Sequence, residues 1–112
     1  MKQEFEFLAV ADLVWEPCRA VGMEEKVLSR DPDDPEILTR LVRWQPGLDI
    51  SAAGVITHEW VEEVYLLEGD LFDITLGSSY NAGHYASRRP RMPHGPYRTS
   101  SGCTMLEIRY RP

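Results

Sequence analysis

Short segments of alternating apolar and polar residues run along almost the whole chain, and they predict β-strands rather than helices. The clearest segments are residues 62–67 (EEVYLL) and 103–110 (CTMLEIRY). The remaining predicted strands are residues 5–9, 13–15, 26–30, 38–44, 55–58, 71–76 and 84–87. Glycine, proline and aspartate separate them, with predicted turns at residues 31–35, 46–47 and 68–70 and a loop at 77–83. Strands at this spacing predict an all-β fold, a sandwich or jelly roll.

The length of 112 residues predicts one domain over residues 1–112, because a second core would have no room. The net charge of −6 argues against nucleic acid as a partner, since phosphate binding needs a basic face. No apolar run approaches the roughly 18 residues that a membrane span needs. The N-terminal residues lack the uninterrupted apolar region of an export signal, so we expect a cytoplasmic protein without membrane contacts.

The two cysteines, Cys18 and Cys103, lie far apart in the sequence and fit no metal-binding spacing. We expect both to be reduced thiols, as is usual in a cytosolic protein. Cys103 follows His94 into the next apolar segment and could lie near a site there, although packing is its simpler role.

Two polar segments, residues 57–70 and 90–96, carry the candidate chemistry. Glu62 begins a predicted strand whose alternate residues, Val64 and Leu66, form an apolar inner face. His58 has the same parity, but four extended residues span about 13 Å, so the chain must reverse within residues 59–61 for the two side chains to meet. Together with His94 they would provide two imidazoles and one carboxylate, a set that suits divalent iron, manganese, nickel or zinc.

Taken singly, each of these residues has an ordinary explanation. His58 could be a hydrogen-bonded or exposed histidine, and His94 could be a plain turn residue between Pro93 and Gly95. Glu62 could be an exposed carboxylate at a strand end, with the adjacent Glu63 as the relevant acid instead. The spacing of His58, Glu62 and Gly69 favours a ligand role.

The same spacing resembles the two motifs of the cupin family. Glu62, six further residues and Gly69 fit the end of the first motif, and His58 falls on its second histidine. Gly83 and residues 90–94 fit the second motif, and residues 39–47 resemble the strand and Pro-Gly turn that precede the first. The chain is most similar to the ChrR-like cupin group, over residues 14–110.

The resemblance implies a jelly-roll, or double-stranded β-helix, cupin sandwich. Cupins commonly bind a metal through three histidines and a glutamate, but Ile56 stands here at the position of the first histidine. The turn at residues 59–61 also lacks the Pro or Gly often found there, and the glycine of the second motif is missing. The resemblance therefore implies a metal site of His58, Glu62 and His94, with iron, manganese, nickel or zinc as the cofactor.

The predicted function is that of a small metal-dependent cupin acting on a small organic molecule, a dioxygenase that uses iron. Two histidines and one carboxylate leave coordination positions free for oxygen and substrate. The alternative is a non-enzymatic cupin with a degraded metal site that binds or senses a small molecule. No general base is assigned, and whether the protein is an enzyme stays open. We expect a homodimer built through the N-terminal strands.

Several further residues have two interpretations. His84 is predicted to point outward and is left out of the metal set. Arg88, Arg89 and Arg91 are explained by a solvated loop or by ion pairs, with an anionic substrate group as the alternative. Core packing explains a set of large side chains, which could also shape an apolar pocket for an aromatic or acyl ligand: Trp60, Tyr85, Met92, Tyr97 and Met105.

Overall fold

A computed structural model describes all residues, 1–112, and its regular structure is nearly all β. The strands are β1 (Glu16–Pro17), β2 (Met23–Asp31), β3 (Asp34–Trp44), β4 (Val61–Asp73), β5 (Ser78–Asn81), β6 (Tyr85–Arg88), β7 (Tyr97–Arg98) and β8 (Cys103–Tyr110). The helical structure consists of two 3-10 turns, Val10–Asp12 and Ser51–Ala53. The all-β prediction is confirmed. Neither helical turn has the length or apolar character that crossing a membrane requires.

The long strand β4 joins the two layers of the fold. All pairings are antiparallel, and the strand order is β1-β2-β3-β8-β4-β5. The first half of β4 pairs with β6 and β8, whereas its last residues pair with β5 and β7. Because one strand belongs to both layers, the sheet curls around a common interior, as in a jelly roll.

A bulge in β4 changes which residues face this interior. Val64 and Leu66 are buried, which confirms the predicted inner face. The register against β8 then shifts between Leu66 and Glu68, so that one extra residue separates the two halves. Beyond the bulge the buried positions are Leu71 and Asp73, which have the opposite parity. Side chains from both halves of β4 therefore face the interior.

The prediction of a hairpin turn at residues 68–70 is wrong, because β4 continues to Asp73. Gly69 has a φ of +80°, which bends the strand between the two layers without reversing it. The chain reverses after Asp73, where the Gly77 N–H donates to the Asp73 carbonyl over 2.8 Å. Strand β5 consequently lies inside the predicted loop at 77–83.

Three predicted strands do not form. Residues 5–9 and 13–15 have no partner strand; the 3-10 turn lies between them, and Phe7 is 95% exposed with a φ of +52°. Residues 55–58 contribute only a single bridge, between Ile56 and His94. Alternation describes a strand only where a neighbour can accept its backbone hydrogen bonds, and these segments lack one along their length.

The Asp70 side chain holds β4 against the loop that precedes β8. Its carboxylate accepts hydrogen bonds from the backbone N–H groups of Ser100 and Ser101, at 2.9 and 2.8 Å, and from the Ser101 hydroxyl. The Ser101 hydroxyl and these N–H groups lower the pKa of Asp70 to about 2. Hydrogen bonds to the charged form produce this shift, so the ionised carboxylate stabilises the fold.

We expect Asp70→Asn to lower the free energy of unfolding by about 1 kcal/mol at pH 7, since solvent screening reduces the effect of a half-buried carboxylate. The folded-state pKa is depressed, so the contribution is complete above the unfolded pKa of about 4 and disappears as pH falls towards 2. Urea unfolding of both proteins at pH 7 and pH 2.5 measures this. A stability difference that does not shrink at low pH would contradict the assignment.

Candidate metal centre

A bend at residues 59–60 brings His58 beside Glu62, as the spacing required. The His58 ring stacks on Trp60, with parallel planes and centroids 4.6 Å apart. Its Nδ1 lies 3.0 Å from the Trp60 carbonyl oxygen. A carbonyl only accepts, so Nδ1 carries the proton and Nε2 keeps a lone pair for another partner.

His94 reaches the same place from the second polar segment. Its backbone forms a two-bond bridge with Ile56, and its Nδ1 lies 2.9 Å from the Met92 carbonyl oxygen. As in His58, the lone pair is thereby left on Nε2. Burial lowers the pKa of His94, and the nearby Arg88 charge acts in the same direction. Both effects favour the neutral imidazole, the form that binds a metal.

Glu62 supplies the carboxylate between the two rings. One oxygen, Oε1, accepts a hydrogen bond of 2.9 Å from Arg88. The other oxygen, Oε2, lies 2.5 Å from Nε2 of His58 and 3.9 Å from Nε2 of His94. The alternative carboxylate, Glu63, faces the other side of the sheet and accepts a hydrogen bond from the Tyr85 hydroxyl.

The three donor atoms converge on one point. Each residue offers one ligand atom, and these atoms lie within 4.8 Å of one another. The side chains of His58, Glu62 and His94 are only 7%, 12% and 6% exposed. Despite its short distance to Glu62, Nε2 of His58 has no hydrogen-bond partner, so the contact does not have hydrogen-bond geometry. A buried nitrogen lone pair facing a carboxylate is costly by itself, and a cation bound by both groups would remove that cost.

Arg88 is a residue of the candidate centre that the sequence interpretation did not assign to it. A solvated loop explains Arg89 and Arg91, which are exposed, whereas Arg88 is 8% exposed and forms one of the predicted ion pairs, with Glu62. Arg88 lies opposite Glu62 in the pairing of β6 with β4, and its Nη2 also donates to the Tyr97 hydroxyl over 2.8 Å. It holds one carboxylate oxygen of Glu62 and leaves the other free. Pairing register is the signal that identifies it, and the sequence does not state that register.

We expect Arg88→Met to lower the free energy of unfolding of the metal-free protein by about 2–3 kcal/mol, because it leaves the buried Glu62 carboxylate without its partner. Urea unfolding measures the change. Arg89→Met is the matched control and should stay within about 0.5 kcal/mol, since Arg89 is exposed. Equal losses in the two variants would contradict the role of Arg88.

The three candidate ligands line an interior cavity with a volume of about 320 Å³. A second group of charged side chains lines the same cavity. Arg40 bridges Glu25 and Glu107, and Arg109 also bonds to Glu107. Burial alone would raise the pKa of Glu107, but the charges of Arg40 and Arg109 hold this pKa below its usual value. Arg109 lies over the Trp60 ring, 4.7 Å from its centroid. Arg40 and Arg109 are thus already paired with Glu107.

The remaining candidate residues lie outside the cluster. His84 is exposed, and its Nδ1 contacts the Asn81 carbonyl. Both cysteines are free, as predicted. Burial raises the pKa of Cys103 to about 12, which keeps its thiol protonated, and it belongs to the hydrophobic core.

Comparison with known proteins agrees with this fold. The family model of the ChrR cupin-like domain matches residues 3–109. No curated protein matches the sequence. An RmlC-like cupin from Shewanella frigidimarina superposes with a TM-score of 0.74 at 15% identity, covering 96% of this chain and 91% of that one.

Two further solved structures are similar in fold. An acetylacetone dioxygenase from Acinetobacter johnsonii has a TM-score of 0.72 at 16% identity, covering 94% of this chain and 73% of that chain. The anti-sigma protein ChrR of Rhodobacter sphaeroides, solved in complex with SigE, has a TM-score of 0.63 at 22% identity. That match covers 86% of this chain and 49% of the ChrR chain, so this chain spans about half its length.

Proposed function

Because the chain belongs to the ChrR cupin-like family, we propose that it is a metal-dependent cupin that acts on a small organic molecule with dioxygenase chemistry. The observation that carries the proposal is the convergence of His58, Glu62 and His94, whose side chains are at most 12% exposed. Two imidazole nitrogens and one carboxylate form the ligand set of non-haem iron oxygenases, and the acetylacetone dioxygenase neighbour favours the same chemistry.

In this proposal each residue of the centre has a separate task. His58 and His94 present Nε2 lone pairs because backbone carbonyls hold their Nδ1 protons. Glu62 contributes Oε2, and Arg88 fixes its orientation. Iron bound there would supply free coordination positions for oxygen and substrate. Ile56 lines the cavity at the position of the absent histidine, so that side of the centre is apolar.

Elemental analysis of protein purified without chelator tests metal binding. We expect about one equivalent of a transition metal after reconstitution with iron, manganese, nickel or zinc. Less than about a tenth of an equivalent of every metal would overturn the proposal. An oxygen electrode then tests the chemistry, with acetylacetone as the first substrate and the His94→Ala variant, treated with iron in the same way, as the control. Failure to consume oxygen with any 1,3-diketone would exclude this dioxygenase class.

A second candidate function is a non-enzymatic sensing module. The family itself and the ChrR structure in complex with SigE favour it, because that neighbour carries out a regulatory role. The loss of one histidine at Ile56 also agrees with a pocket that has lost its chemistry. Stabilisation by organic ligands alone, with no effect of metals, would distinguish this function in a thermal-shift assay.

The predicted homodimer stays a proposal, with a changed surface. The N-terminal segment does not form the strands on which the dimer was based, but Phe5, Phe7 and Val14 are exposed there. Exposed large apolar residues of this kind favour a contact surface. We therefore place the dimer contact on these side chains rather than on paired strands.

A further inference from the structure

A second, larger cavity opens beside the edge strand β6. We call it the seam chamber, because both β6 and the loop after β4 line it. Its volume is about 510 Å³, within the range of pockets that hold small organic molecules. Its walls are mainly apolar: Val64, Leu66 and Leu71 of β4 line its interior side, and Val55, Leu76 and Met92 lie on loops.

The seam chamber meets the candidate metal centre. Five residues line both this chamber and the interior cavity of about 320 Å³: Val64, Leu71, Arg88, His94 and Tyr97. His94 is therefore accessible from both cavities, and a molecule held in the chamber has its inner end beside the proposed ligand set. The interior cavity leads instead towards the paired charges of Arg40 and Glu107.

The rim of the chamber exposes large apolar side chains. Leu76 is 67% exposed, Tyr85 58%, Val55 56% and Met92 41%. Four such residues from separate segments around one concave opening are unfavourable in water unless something covers them. A ligand whose outer part is apolar removes this surface from water and explains the composition of the rim.

The charges in the chamber exclude an anionic occupant. Arg88 is already bonded to Glu62 and Tyr97. Asp73 is 5% exposed; its Oδ1 accepts a hydrogen bond from the Leu76 N–H, and no arginine or lysine pairs with it. Bringing a carboxylate or phosphate beside this buried carboxylate would cost free energy, because the one arginine in the wall, Arg88, is already paired with Glu62.

We propose that the seam chamber binds the apolar body of an uncharged small molecule, whose polar end lies beside His94 and Arg88. The chamber contacts do not depend on a metal, but the role of the polar end rests on the proposed function. This assigns the substrate class as uncharged and mainly apolar, with a carbonyl or hydroxyl group at one end.

The uncharged fluorescent dye 1-N-phenylnaphthylamine tests the chamber in metal-free protein. We expect saturable binding at one equivalent. Leu76→Glu and Met92→Glu should each weaken it at least tenfold, because they place a charge at the rim. Val21→Glu is the matched control, since Val21 is 99% exposed and lines neither cavity, and it should leave the affinity unchanged. Circular dichroism confirms that each variant is folded. No saturable binding, or rim variants that bind like wild type, would overturn the proposal.

Two further measurements separate this inference from the proposed metal function. Dye binding is repeated with the His58→Ala variant, where it should persist, and metal content is determined independently by elemental analysis. Full metal content without dye binding overturns the chamber alone. Dye binding without metal overturns the metal function and leaves the chamber supported. The placement of the polar end is tested with benzoylacetone, an uncharged aromatic diketone. It should bind at least tenfold more tightly to zinc-loaded wild-type protein than to His58→Ala. Equal affinities would overturn the placement of the polar end.

Discussion

His58→Ala and His94→Ala are each expected to reduce the affinity for transition metals by 100-fold or more, because each removes one of three proposed ligands. A metal present at 100 times its dissociation constant stabilises the folded state by about 2.7 kcal/mol. A 100-fold weaker site would gain only about 0.4 kcal/mol at the same concentration. At about 4 °C per kcal/mol for a domain of this size, the metal-induced rise in melting temperature falls from roughly 10 °C to about 2 °C.

The matched control is His84→Ala, because His84 is exposed and outside the cluster. It should keep the full metal-induced shift. Calorimetry of metal-free and zinc-loaded samples of the three variants and the wild type gives the comparison. The metal-free melting temperatures separate a lost ligand from a damaged fold, since a folding defect lowers them without metal. A full metal-induced shift in both His58→Ala and His94→Ala would contradict the proposed centre.

Gly69→Ala is expected to lower the free energy of unfolding by about 4 kcal/mol or more, close to the total stability of many small domains. A Cβ added at Gly69 would lie 1.9 Å from the carbonyl oxygen of Gly102. Backbone cannot rotate away as a flexible side chain can, so the start of β8 would have to shift. The φ of +80° adds conformational strain for any residue with a Cβ.

Gly47→Ala isolates the steric part of this effect. Gly47 has nearly the same φ, +81°, but no atom lies within 4 Å of an added Cβ. Its substitution should cost about 1–2 kcal/mol from backbone strain alone. Urea unfolding of both variants gives the difference, and insolubility of Gly69→Ala with a folded Gly47→Ala supports the same conclusion. Equal and small losses would show that β8 adapts to the added atom.

Strand prediction succeeded where the apolar residues face a common interior. Residues 38–44 and 103–110 were assigned from alternation, and both lie in central strands of the sheet. The prediction failed at residues 5–9, where the same alternation has no partner. It also failed at Gly69, since a glycine at positive φ either reverses a chain or bends a strand, and only the neighbouring backbone decides which.

The candidate centre also contains residues that local spacing predicts and residues that it does not. The spacing from His58 to Glu62 required a reversal in residues 59–61, and the structure contains that bend. The position of His94 depended on a resemblance to a family, because nothing in the sequence fixes how two distant segments approach. For Arg88 the sequence leaves both a solvated loop and an ion pair open, because local sequence contains neither burial nor register.

The sequence by itself determined an all-β chain, the inner face of β4 and the spacing that pairs His58 with Glu62, because alternation and short-range spacing are local properties of the backbone. Only the tertiary structure decided that β4 continues past Gly69, that Arg88 holds Glu62, and that His94 lies between two cavities. These features depend on the register between strands distant in sequence and on which charged side chains are buried next to each other. Both are properties of the packed molecule.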